Sequence, residues 1–178
     1  DECAADTNDP EIIKAVLAPH RAGIPGVNLH CAMHSYRIGP PAEPAVAGTD
    51  RALWFEYLGL QSSRHGPQLP LDITYTASPI TSDLPAWTTG REELYNNIQI
   101  FPTATVLATA KQVVNTREVE AVVTWTNNYR GTRVFSTTVG HNNETVGDDR
   151  YLDLVARGVL WACSKLDANG RPLAGYAK

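Results

Sequence analysis

The sequence predicts an α/β fold in a single domain over residues 1–178, and two observations carry that expectation. Helical and strand patterns alternate along the chain. The last helical pattern, residues 148–164, spreads Leu152, Leu154, Val155, Val159, Leu160 and Cys163 over more than one face, as a helix does when it packs on a sheet.

The elements follow in order. Asp9-Pro10-Glu11 opens a helix, with Asp9 as cap, Pro10 in the first turn and Glu11 at the positive end of the dipole. Ile12, Ile13, Val16 and Leu17 have helical spacing, and Pro19 is expected to close the run. Val27-Asn28-Leu29 reads as a short buried strand that delivers His30 and Cys31. Residues 38–49, with Pro40, Pro41 and Pro44, read as a loop, and 51–60 as a short helix with Trp54, Phe55 and Leu58 inward. Strands are expected over 70–75, 91–95 and 104–109, with turns and a short helix over 78–85. The strongest strand is 120–126, rich in Val, Thr and Trp; Asn128-Tyr129-Arg130-Gly131 turns it back into a strand over 133–139.

Composition excludes several function classes. With 43% hydrophobic and 19% charged residues the chain reads as an ordinary soluble domain. A net charge of −4 and the absence of any Lys/Arg-rich run argue against nucleic acid as a partner. The longest apolar-rich stretches, 15–18 and 119–125, are far shorter than the ~20 residues of a bilayer span, so no membrane role is expected. The three cysteines, Cys3, Cys31 and Cys163, are widely separated and odd in number, which reads as neither a disulfide framework nor a zinc pair. Cys163 is expected to be a small buried hydrophobe. Compartment stays open between cytoplasm and a secreted or periplasmic location.

Two constellations bring chemistry to strand ends, where open α/β sheets place their ligand sites. Leu29-His30-Cys31-Ala32-Met33-His34 puts an imidazole and a thiol at a strand-to-helix turn, so Cys31 is a candidate nucleophile. Leu29 and Met33 stand where a strained elbow normally has glycine. Val139-Gly140-His141-Asn142-Asn143-Glu144 is the second, and a Cys31–His141–Glu144 arrangement would satisfy nucleophile, base and orienter. His65 and Glu93 are weaker candidates singly. Together, His30, His65 and His141 with Glu93 could ligate Zn²⁺ or a similar divalent ion. Trp87, in a polar turn, is a candidate for stacking on a sugar ring.

Taken in order, these pieces resemble the ThuA-like (trehalose utilisation) family of the class I glutamine amidotransferase-like superfamily. The matching segments include Gly26-Val27-Asn28-Leu29-His30-Cys31-Ala32, Arg64-His65-Gly66-Pro67, Ser78-Pro79-Ile80-Thr81, Glu92-Glu93-Leu94-Tyr95-Asn96, Tyr129-Arg130-Gly131-Thr132-Arg133-Val134-Phe135, Thr138-Val139-Gly140-His141 and Arg157-Gly158-Val159-Leu160-Trp161-Ala162. The resemblance implies a flavodoxin-like, mostly parallel sheet with helices on both faces. It also implies that the family's first strands are absent, leaving a sheet edge that would favour homo-oligomers. Cys31 falls where amidotransferases carry their nucleophile and His141 near their catalytic histidine. Their flanking glycines are missing, and Glu144 stands one place later than the usual His-x-Glu.

On this resemblance the site residues are His30, Cys31, Glu93 and His141 for catalysis, and His65, Tyr95 and Trp87 for the substrate. His30, His65 and His141 are the candidate metal ligands. The implied function is carbohydrate catabolism, with a small-molecule partner such as a trehalose-like sugar or a 3-keto glycoside, by hydrolysis or by lyase or isomerase chemistry at a His/Glu site. A Cys-His-Glu ester or amide hydrolase and a non-catalytic sugar-binding or scaffolding module are the alternatives.

Overall fold

A computed structural model describes residues 3–177. Helix α1, Pro10–Arg21, begins as its cap dictates, with the Asp9 side chain accepting the Glu11 N–H at 2.8 Å. Pro19 lies inside its last turn and does not end it, a departure from expectation. Strand β1 is Gly26–Leu29, and a 3₁₀ turn over His30–His34 follows it directly. A second 3₁₀ turn, Asp50–Ala52, leads into α2, Leu53–Leu58. Then come β2 (Leu60–Leu69), β3 (Asp72–Tyr75), β4 (Trp87–Thr88), β5 (Glu92–Ile100), β6 (Ala104–Val114), β7 (Arg117–Tyr129) and β8 (Thr132–Thr137). A one-turn helix α3, Asn143–Val146, precedes α4, Asp149–Ala162. Residues 78–83 form turns rather than the short helix expected there.

Among the described residues one sheet has six strands in the order β1-β8-β7-β6-β3-β4. Only β1 and β8 run parallel; β8–β7, β7–β6, β6–β3 and β3–β4 are antiparallel. The mostly parallel, flavodoxin-like sheet is therefore corrected to a mixed, mostly antiparallel one. The physical reason lies in the connections. β6 turns into β7 through Asn115-Thr116 and β7 into β8 through Arg130-Gly131, all four with positive φ. Two-residue turns of that kind join antiparallel neighbours, whereas parallel ones need a long crossover.

Helices cover both faces. On β8 the successive residues Val134 and Phe135 enter different clusters: Val134 with Ile13 and Leu17 of α1 and Trp54 and Leu58 of α2, Phe135 with Leu154 of α4. Trp125, the largest fully buried side chain, joins the first cluster and donates its indole N–H to the Leu58 carbonyl at 2.7 Å. The indole thus contributes apolar area without an unsatisfied donor. β2 and β5 form a separate antiparallel ribbon whose register slips at Ser62, His65 and Gln68. Cys163 is exposed at the end of α4, not buried as expected. Among the described residues, no helix is long and apolar enough to cross a membrane.

Candidate functional site

β1 and β8 are adjacent and parallel, so their carboxyl ends share one rim. His30 leaves the end of β1 and His141 lies four residues beyond the end of β8. Their ring centroids are 5.2 Å apart, and His30 Nε2 lies 3.3 Å from His141 Nδ1. The ribbon closes the rim from the side. Gln68 pairs with Glu93 and His65 with Tyr95 across β2 and β5, which delivers all four residues to the two imidazoles.

His30 occupies the elbow itself, with φ of 42°. A left-handed conformation costs a non-glycine residue roughly 1–2 kcal/mol, and such outliers concentrate where a side chain must be aimed. His30 Nδ1 lies 2.8 Å from the Thr138 carbonyl, which can only accept, so Nδ1 carries the proton and the Nε2 lone pair faces the site. There Nε2 meets Glu93 Oε2 at 3.6 Å and the Tyr95 hydroxyl at 3.5 Å. Burial first, then the charges of Glu93 and Glu92, push the Tyr95 phenol well above its usual range, so it stays a donor.

Glu93 is the hub. Its side chain is 7% exposed, and Oε1 lies 3.4 Å from His141 Nδ1, 3.5 Å from His65 Nδ1 and 3.3 Å from the Gln68 amide nitrogen. His65, its side chain 43% exposed, forms the solvent side of the cluster. Gln68 also reaches His141 Nε2, at 2.7 Å. His30, Glu93 and His141 together form a group able to hold a metal ion. His30 Nε2 and His141 Nδ1 stand 3.3 Å apart, Glu93 Oε1 lies 3.4 Å from His141 Nδ1, and Glu93 Oε2 lies 3.6 Å from His30 Nε2. Zinc bonds of ~2.0–2.1 Å at tetrahedral angles place ligand atoms about 3.3 Å from one another, so the donor set fits such an ion.

Two expected site residues are corrected. Cys31 is joined to Cys3 in a disulfide, so its sulfur is no free nucleophile, and the elbow presents the His30 imidazole instead. The odd cysteine count had concealed one pair plus the free Cys163. Trp87 is 4% exposed, packed with Leu71 and Ile73 under the Arg150 guanidinium, and offers no face for a sugar. Glu144 is exposed with its carboxylate against Gly90, while the His141 ring faces Glu93, so the Cys31–His141–Glu144 arrangement does not form.

Three contributors were not anticipated. Gln68 lies on a strand absent from the expected elements. Glu92 accepts backbone N–H groups from the turn that carries His141. His34 stacks on Tyr95 with centroids 4.5 Å apart and meets the Ser62 hydroxyl at 3.2 Å.

Burial first, then the Arg37 charge, lowers the His34 pKa from 6.5 to about 3. An unfolded chain therefore takes up this proton near pH 6.5 while the folded chain does not, and stability contributed by neutral His34 is lost as pH falls from 6.5 towards 3. The denaturant midpoint is expected to drop between pH 7 and pH 4.5 by more in the wild type than in His34→Gln. Equal drops in the two proteins would show that His34 carries no such linkage.

The pattern of the ThuA family, described as trehalose utilisation, matches residues 6–162. A solved structure of a putative ThuA-like protein from Parabacteroides merdae superposes with a TM-score of 0.63 at 17% identity, covering 92% of this chain and 75% of that one, a likeness of fold. No curated protein matches the sequence. With the match running from α1 to the end of α4, through both histidine-bearing strand ends, the chain belongs to the ThuA, or trehalose utilisation, family.

Proposed function

We propose that His30, Glu93 and His141 hold a zinc-type divalent cation and that the chain is an enzyme of carbohydrate catabolism. The substrate class is a trehalose-like sugar or a 3-keto glycoside, and the chemistry is hydrolytic or lyase/isomerase-like. The observation that carries the reading is the convergence of two imidazole nitrogens, 3.3 Å apart, on the Glu93 carboxylate, whose two oxygens lie 3.4 Å from His141 and 3.6 Å from His30. Two imidazoles and one carboxylate, with a further position open, form a ligand set known in catalytic zinc sites. When bound, the ion would supply Lewis-acid polarisation of a substrate oxygen.

The chain's own residues supply the rest. The Thr138 carbonyl fixes the His30 tautomer, and the Gln68 amide N–H donates to Glu93. His65, half-exposed and 3.5 Å from Glu93, is placed to pass a proton between substrate and solvent. Tyr95 stays protonated and can donate to an oxygen at the rim. Family membership supports the carbohydrate class, and the metal reading rests on geometry alone.

The test uses the full chain. After incubation with zinc and dialysis, the wild type is expected to retain one zinc per chain and His30→Ala none. Turnover of a panel of trehalose and 3-keto glycosides should stop on chelation and return with zinc. A wild-type chain that retains no zinc, or a His30→Ala protein that retains as much, would overturn the reading.

A further inference from the structure

β5 opens with two consecutive buried carboxylates, and they treat His141 differently. Glu93 faces its ring, as described. Glu92, 0% exposed, takes its backbone. The Glu92 carboxylate accepts the N–H of Gly140 at 3.2 Å, of His141 at 3.0 Å through both oxygens, and of Asn142 at 3.1 Å. Three successive N–H groups converging on one anion form a cradle of the kind loops use to bind anions; here the anion belongs to the protein.

The turn is shaped for it. Gly140 has φ of 124°, and a Cβ there would stand 2.7 Å from the Tyr151 hydroxyl. The Asn142 side chain donates to the Arg91 carbonyl, so the residue before Glu92 and the residue after His141 are tied together. A fully buried carboxylate is costly to desolvate, and here the groups that hydrogen-bond it are the backbone N–H dipoles of Gly140, His141 and Asn142. Such a charge is poor evidence for stability and better evidence for fixing a particular geometry.

We propose that Glu92 is the positioning residue of the site: it holds the 140–142 turn by three N–H groups and thereby aims the His141 ring at Glu93 and His30. This rests on the metal reading for its affinity readout only. Glu92→Gln keeps the shape but turns half of the acceptor into an amide N–H₂ donor that faces N–H donors. Outer partners of ligating histidines typically contribute 10–100-fold to metal affinity.

Zinc affinity of the full chain, measured against a chromophoric chelator, is expected to fall ~10–100-fold in Glu92→Gln, to recover partly in Glu92→Asp, and to be unchanged in Glu144→Gln. Where the wild type binds zinc, an undiminished affinity in Glu92→Gln overturns the proposal. Slow amide exchange at Gly140, His141 and Asn142 should collapse in Glu92→Gln in zinc-free protein. That measurement stands even if the wild type binds no zinc: collapse confined to these amides, with the His141 ring signals displaced and those of His65 unmoved, supports the positioning role. Unchanged exchange and ring signals overturn it.

Discussion

Glu93→Gln is expected to lower zinc affinity by more than ~100-fold, beyond the range seen when only an outer partner is removed. The carboxylate is the only anion among the three donors at the rim, and His30, His65, His141 and Gln68 all lie within 3.6 Å of it. An amide in its place offers one neutral oxygen and one N–H₂ donor. In zinc-free protein the consequence is different. A buried carboxylate is desolvated at a cost, so Glu93→Gln should leave the melting temperature unchanged or raised. The wild type should gain about 2.7 kcal/mol at a zinc concentration 100 times its Kd, and the variant less than about 0.4 kcal/mol at that concentration. Thermal melts with and without zinc separate the two effects. A Glu93→Gln protein that keeps the zinc-induced stabilisation would remove Glu93 from the ligand set and leave the cluster without its metal reading.

What the sequence made legible follows physical range. β7 was plain because Val122, Val123, Thr124 and Trp125 are strand formers in one run, and its hairpin because Gly131 suits positive φ. That hairpin already implied an antiparallel pair, yet the family likeness drew the expectation towards a parallel sheet. Local turn chemistry was the better guide. β2 was invisible because Leu60–Leu69 contains Ser, Arg, His, Gly and Pro and breaks its alternation at three bulges, leaving no period to read. Gln68 was lost with it. His30 and His141 could be read from strands running into histidines, since a strand end is a local feature. Glu92 could not be told from Glu93, because its partners lie 48–50 residues away and only the folded turn assembles them. The Cys3–Cys31 pair had the same obstacle: pairing depends on Cα atoms approaching to 5.1 Å, which spacing alone does not disclose.

Breaking that disulfide is expected to have the largest effect on stability. It closes a loop of sequence separation 28, for which chain entropy in the unfolded state predicts about 3–4 kcal/mol. In a chain of this size that corresponds to a fall in melting temperature on the order of 10 °C. The bridge fastens a strap: Ala4 donates its N–H to Ser35 Oγ at 3.0 Å and accepts the Tyr36 N–H at 3.0 Å, laying the first described residues across the turn that starts at His30. Because Cys31 follows His30 directly, the strap also backs the elbow that aims the His30 ring. Cys3→Ser, Cys31→Ser and the double variant should therefore melt alike, well below the wild type, and bind zinc more weakly, whereas Cys163→Ser should match the wild type in both respects. Denatured without reductant, the native chain should titrate one thiol, that of Cys163. Three thiols would mean the bridge does not form in solution. One thiol would show that the bridge forms in solution, as expected of a chain from a secreted or periplasmic location, where such bridges persist.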